Sequence, residues 1–138
     1  MKVFFDTNVY IAEALLGEGA VAMLSATERA GWRIYSSDFV LEEIVRVLVE
    51  YRQIPIRFAL RSRRHVLRRA QMIYVPPSRH QVPNDPNDTP ILRAAVVAGV
   101  DCLVTNDLHL LSIDPYEGIR IISMTAYFDL LVNEGFLR

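Results

Sequence analysis

One cysteine, Cys102, and one lysine, Lys2, occur in 138 residues. A single cysteine excludes an internal disulfide framework and fits a reducing compartment. His65, His80 and His109 show no metal-ligand spacing with each other or with Cys102, which disfavours a zinc site; surface or capping positions are expected for all three, with substrate contact a further role for His109. No apolar run approaches the roughly 18–20 residues needed to span a bilayer. No signal peptide is expected either, because Asp6 interrupts the apolar stretch Val3-Phe4-Phe5. Charge of one sign is also lacking. A net charge of −1 exerts no global pull on nucleic acid or membrane, so any such binding must come from a local patch. No repeat and no low-complexity tract is visible. A cytoplasmic protein without a membrane partner is the expectation.

What is present is an ordinary globular composition, 51% apolar and 22% charged, read as a single domain over 1–138. Short apolar runs alternate with segments of helical period. Strands are predicted at 3–5, 32–35, 72–75, 102–105 and 119–122. Helices are predicted at 9–16, 20–30, 39–51, from Pro55 to about residue 70, at 89–98, after Asp107 and from about 124. Residues 76–88 hold four of the seven prolines and read as loop. This alternation predicts an α/β fold, a three-layer α/β/α sandwich around a mainly parallel sheet. Ligands bind such sheets beyond the carboxyl ends of the strands. Asp6 and Asp107 follow strands directly, in VFFDTN and LVTND, and both should lie on that rim.

Each acid has a simple alternative role. Asp6, Asp88 and Asp107 all precede helical sequence, where aspartate caps the helix and favours its dipole; Asp88-Thr89-Pro90 reads as a helix start. Helix 39–51 adds a fourth acid. At about 100° per residue, Val40, Ile44, Val47, Leu48 and Tyr51 share its apolar face. Glu43 borders that face, whereas Glu42 points away. Asp6, Glu43, Asp88 and Asp107 thus become candidate neighbours. Four adjacent carboxylates repel unless a cation joins them, and an all-oxygen set suits Mg²⁺ or Mn²⁺. Asn8 and Thr105 would orient the carboxylates, and one or two ions could activate water for attack on phosphorus.

DTN at 6–8, LEEI at 41–44, DPNDTPILRAA at 85–95, LVTNDLHLL at 103–111 and the closing IRIIS at 119–123 stand in this order. Together they resemble the PIN-domain nucleases, and within them the VapC-like toxins of toxin–antitoxin pairs. The resemblance implies a metal-dependent endoribonuclease acting on single-stranded RNA. Asp6, Glu43, Asp88 and Asp107 are its catalytic and metal-binding acids, Asp85 an alternative or support for Asp88. It implies RNA as substrate, a cognate antitoxin as partner and a homodimer. The alternative is a non-catalytic PIN-fold module that binds RNA or protein. A haloacid-dehalogenase-like phosphatase also opens on a strand running into aspartate, but it needs a second aspartate where Asn8 stands and a further lysine, whereas Lys2 is the only lysine in the chain.

Residues 57–69 carry six arginines and no acid. Arg57, Arg61, Arg64 and Arg68 form one stripe beside an apolar face of Ile56, Ala59, Leu60, Val66 and Leu67. Arg63 falls among the apolar positions and either snorkels or reaches a cleft. The run is a solvated face or a phosphate track for RNA. Tyr127-Phe128 and Leu130-Leu131 suit either core or a dimer surface.

Overall fold

The structure, a computed structural model, describes residues 1–83 and 85–137. Five strands form one wholly parallel sheet: β1 (Lys2–Phe5), β2 (Arg33–Ser37), β3 (Ala70–Ile73), β4 (Cys102–Val104) and β5 (Arg120–Ile122), in the order β3-β2-β1-β4-β5. Seven α-helices connect and close it among the described residues: α1 (Thr7–Ala14), α2 (Glu18–Arg29), α3 (Asp38–Arg46), α4 (Ile56–Arg69), α5 (Thr89–Ala98), α6 (Leu108–Leu111) and α7 (Met124–Asn133). Asn84 of the predicted loop 76–88, and Arg138, lie outside the described residues.

The sequence explains the central position of β1. Val3, Phe4 and Phe5 are all fully buried, as expected for a strand covered on both faces. Right-handed crossovers carry the chain from β1 to β2 to β3 in one direction, over α1 to α4. The chain then returns through α5 to the other side of β1 and continues to β5. The direction of winding therefore reverses between β1 and β4, the point in such sheets where a crevice opens at the strand ends. The register pairs Phe5 with Val104, so the next residues outward, Asp6 and Thr105, stand side by side on the rim.

Several elements differ from the pattern reading for identifiable reasons. Strand 72–75 is found at 70–73, because α4 runs into β3 with no intervening loop. Helix 39–51 divides: α3 ends at Arg46 and a π-helical turn, Val47–Tyr51, continues it. Val40, Ile44 and Leu48 are buried as the wheel requires, but the wider turn swings Tyr51 out to 68% exposure. Glu42 is exposed and Glu43 half-buried. On α4 only Ala59 and Val66 are buried, while Ile56 and Leu67 are exposed. Arg63, beside Ala59 and Val66 on the wheel, is exposed as well.

Tyr127 and Leu131 belong to the core. Tyr127 packs edge-on against Phe5 and Trp32, and its hydroxyl meets Thr27 Oγ1 at 2.7 Å. Burial pushes the Cys102 thiol up to about 12, which leaves it an inert strand residue. Among the described residues, no single helix is long and apolar enough to cross a membrane.

Arg69 separates from the other arginines of its run. Its side chain is 10% exposed and donates to Glu13, itself 19% exposed, at 2.9 Å, with Glu28 at 3.7 Å. It fastens the end of α4 to α1 and α2. Arg69→Ala would strand Glu13 in a largely dry position, and a loss of about 3 kcal/mol is expected in urea unfolding.

Candidate metal centre

Asp6 ends the central strand and is 4% exposed. It occupies the N-cap position of α1, yet its side chain makes no capping hydrogen bond. The Thr105 hydroxyl donates to Asp6 Oδ2 at 2.7 Å. The same Thr105 oxygen accepts the amide of Asp107 at 3.0 Å, so one threonine fixes the spacing between the ends of β1 and β4. Burial raises the Asp6 carboxyl above the ordinary carboxylate range, opposed chiefly by the Thr105 hydrogen bond.

Asp107 does cap its helix. Its Oδ1 accepts the amides of His109 at 2.8 Å and Leu110 at 3.2 Å, which ties down one oxygen of the two. Asp88 stands at the N-cap of α5 without capping it. Its Oδ2 is buried and unpartnered. Burial pushes the Asp88 carboxyl up to about 8, reinforced by close approach to Asp107, the charge of Asp6 and close approach to Asp85. Helix capping, the simple alternative, thus accounts for Asp107 in part, contributes to Asp6 only weakly through the Thr7 and Asn8 amides, and gives Asp88 no capping hydrogen bond.

Asp6, Asp88, Asp107 and Asp85 are therefore brought together at the β1/β4 crevice. Asp85 Oδ2 lies 3.2 Å from His109 Nδ1, and ligand atoms of Asp85, Asp107 and His109 all fall within 4.8 Å of one another. His109 had a weak signal in the sequence, its place two residues after Asp107 on a helix of one turn. Glu43 is differently engaged. Arg46 grips its carboxylate with two nitrogens, at 2.8 and 2.9 Å, in a cleft shared with Phe39, Tyr51 and Asn87. Asn8 is exposed.

The donor set suits a hard divalent cation. Carboxylates crowded in low dielectric cannot all ionise without one, and Asp88 Oδ2 is a buried acceptor with no protein partner, the kind of group that calls for an ion or water. Unpartnered buried oxygens also occur on Thr7 at the start of α1 and on Ser36 and Ser37 at the carboxyl end of β2.

Loop 76–88, which carries Asp85, is pinned from two sides. His80 is buried, not at the surface as its sequence context suggests, and its Nδ1 meets the Tyr116 hydroxyl at 2.6 Å. Val82 is buried too, and its amide donates to Thr89 Oγ1 at 3.2 Å. The basic residues Arg57, Arg61, Arg63, Arg64 and Arg68 are all exposed; Arg57 and Arg61 flank the Phe58 ring at 4.8 and 5.2 Å.

A family model described as PIN domain matches residues 2–109, the span that contains every acid described above. No curated protein matches the chain. The structure is similar to the crystal structure of PAE2754 from Pyrobaculum aerophilum, with a TM-score of 0.59 at 19% identity, over 96% of this chain and 99% of that one; at that identity the likeness concerns the fold.

The raised Asp88 carboxyl gives a signed prediction for the metal-free protein. Its folded value, about 8, lies above its ordinary 3.8, so the folded state holds the proton more tightly. That contribution to stability is complete below about pH 4 and is lost as pH rises through about 8. In EDTA the Tm is expected to fall across this window, and the fall should be smaller in Asp88→Asn.

Proposed function

The chain belongs to the PIN-domain family, and on that footing we propose that it is a Mg²⁺- or Mn²⁺-dependent endoribonuclease hydrolysing phosphodiester bonds of single-stranded RNA. The observation that carries this reading is Asp88, a carboxyl beside Asp6 and Asp107 with one buried oxygen unpartnered and its ionisation suppressed. Asp6, Asp88 and Asp107 would hold the ion, with Asp85 and His109 flanking them. When bound, the ion supplies Lewis acidity toward the phosphodiester and neutralises the acids.

The chain's own residues set the stage for that. Thr105 holds the Asp6 carboxylate in one orientation through Oγ1 and, through the same atom, fixes the start of the Asp107 turn. Asp88 would serve as a ligand in its ionised form. Glu43 would join the set only if released from Arg46. The exposed arginines of α4 offer phosphate contacts to RNA. As a toxin in the cytoplasm, the protein would be silenced by an antitoxin. An apolar groove of about 410 Å³, with Leu16, Val21, Ile54 and Phe58 on its walls and Arg61 and His65 at its rim, suits a docked segment. A homodimer and a single domain over 1–138 belong to the same proposal.

A second reading, a PIN fold that binds RNA or protein without cleaving, is favoured by one observation. The two-point Arg46 grip on Glu43 leaves three carboxylates at the crevice with only Asp85 to assist.

Calorimetric titration of Mn²⁺ decides for or against the metal centre. Saturable binding is expected in the wild type, tightening between pH 6 and 8 as Asp88 loses its proton, and absent in Asp6→Asn/Asp88→Asn. Equal titrations in the two proteins would sink the proposal. Thr105→Val, which removes only the hydroxyl that orients Asp6, is expected to weaken Mn²⁺ about 10- to 100-fold in the same experiment.

A further inference from the structure

Arg93 is a cation beside the acidic centre that neither capping nor ion pairing explains. It lies on α5, five positions after Asp88, and is half-buried. Its Nε donates to the carbonyl of His80 at 2.9 Å, which ties the guanidinium to the pinned loop. Asp85 shares a cleft with it but pairs with His109 instead. Among the described residues no carboxylate pairs with Arg93, and its two terminal nitrogens have no protein partner. A guanidinium fixed through Nε with its outer fork open is arranged for a planar or tetrahedral oxyanion.

The fork also separates two clefts. One contains Asp85 and Thr89. The other, a groove of about 300 Å³, is lined by Ser37 at the end of β2 and by Phe39, Tyr74, Pro76, Pro77 and Pro90, with Ile73 and Val75 among them. The aromatic rings of Phe39 and Tyr74 are its flat surfaces, and Tyr74 is 83% exposed. The residue is too open to be core. Arg93 is the groove's one cation and Asp38, exposed at the other side, its one acid. Flat ring surfaces beside an open cation match the two halves of a nucleotide, a base that stacks and a phosphate that takes charge-assisted hydrogen bonds.

We infer that Arg93 and this groove form a nucleotide subsite, the guanidinium taking a backbone phosphate of a single RNA strand and the Tyr74 ring stacking on the attached base. The inference rests on the nuclease reading and deepens it: the strand leaves the acidic centre on the β3 side, along the rim, rather than over α7.

The probe is a fluorescein-labelled 2′-O-methyl phosphorothioate hexauridylate, followed by anisotropy with Mn²⁺ present over a series of salt concentrations. Arg93→Gln is expected to weaken binding about tenfold and to lower the slope of log K against log salt by about 0.7, the loss of one single-strand phosphate contact. Tyr74→Ala is expected to weaken binding about tenfold with the slope unchanged. Arg93→Lys should keep the wild-type slope at reduced affinity. Wild-type affinity and slope in both Arg93→Gln and Tyr74→Ala would overturn the subsite, as would a wild-type protein that binds Mn²⁺ but not the oligomer; in either case the metal centre stands. Mn²⁺ calorimetry on each variant separates the two readings. If Arg93→Gln loses the ion too, it has failed as a fold, and the exposed Tyr74→Ala carries the decision.

Discussion

A carboxylate buried at the end of the central strand is the constraint on which the rest of this rim depends. Asp6 gives up most of its hydration and receives one short hydrogen bond in return, from Thr105. Its neighbours worsen its position, because Asp107 and Asp88 crowd the same crevice. The protein answers with geometry instead of a counter-charge. Thr105 bridges two strand ends, the α6 amides absorb one oxygen of Asp107, and Asp88 retains its proton. Among the described residues no arginine neutralises this cluster. Arg93 is tied to the carbonyl of His80, and Arg46 is occupied by Glu43. A cationic side chain inside the crevice would stabilise the fold and block the site.

Much of this was legible in the chain itself. Apolar runs without alternation announced a parallel sheet, and two runs stopping on aspartate announced a shared rim, which the β1/β4 register places side by side. The helical wheel also separated Glu42 from Glu43 correctly. What it could not supply was the partner. Nothing in the spacing of Glu43 and Arg46, three residues apart, says whether they grip each other or reach elsewhere, since both are compatible with one helix face. Capping was a fair reading of Asp88 by position; only the structure reveals that the side chain points into a crowd of acids.

The arginine run shows the same limit. Six residues of one type look alike as a string, yet Arg69 is tied to two glutamates from α1 and α2, whereas five remain exposed. Their difference arises from partners about 40 and 56 residues distant in sequence, which periodicity cannot see. The π-helical turn is similar: one residue's worth of extra circumference at Val47–Tyr51 relocates Tyr51, and Arg46 then lies over its ring at 5.3 Å. His80 looked like a loop residue because its sequence surroundings are polar and proline-rich. Tyr116, far along the chain, gives it a buried partner.

The strand order has a consequence for how the protein comes into being. Since β1 sits between β2 and β4, one of its hydrogen-bonding edges is filled early by β2, whereas the other waits for β4, made much later. Asp6 leaves the ribosome about a hundred residues ahead of Thr105 and Asp107. A nascent chain cut short anywhere before β4 has the first acid but neither the Thr105 hydroxyl that orients it nor Asp107 beside it. The acidic centre thus comes together only once β4 and the residues just after it have been made, and the order of translation sets the moment of its assembly.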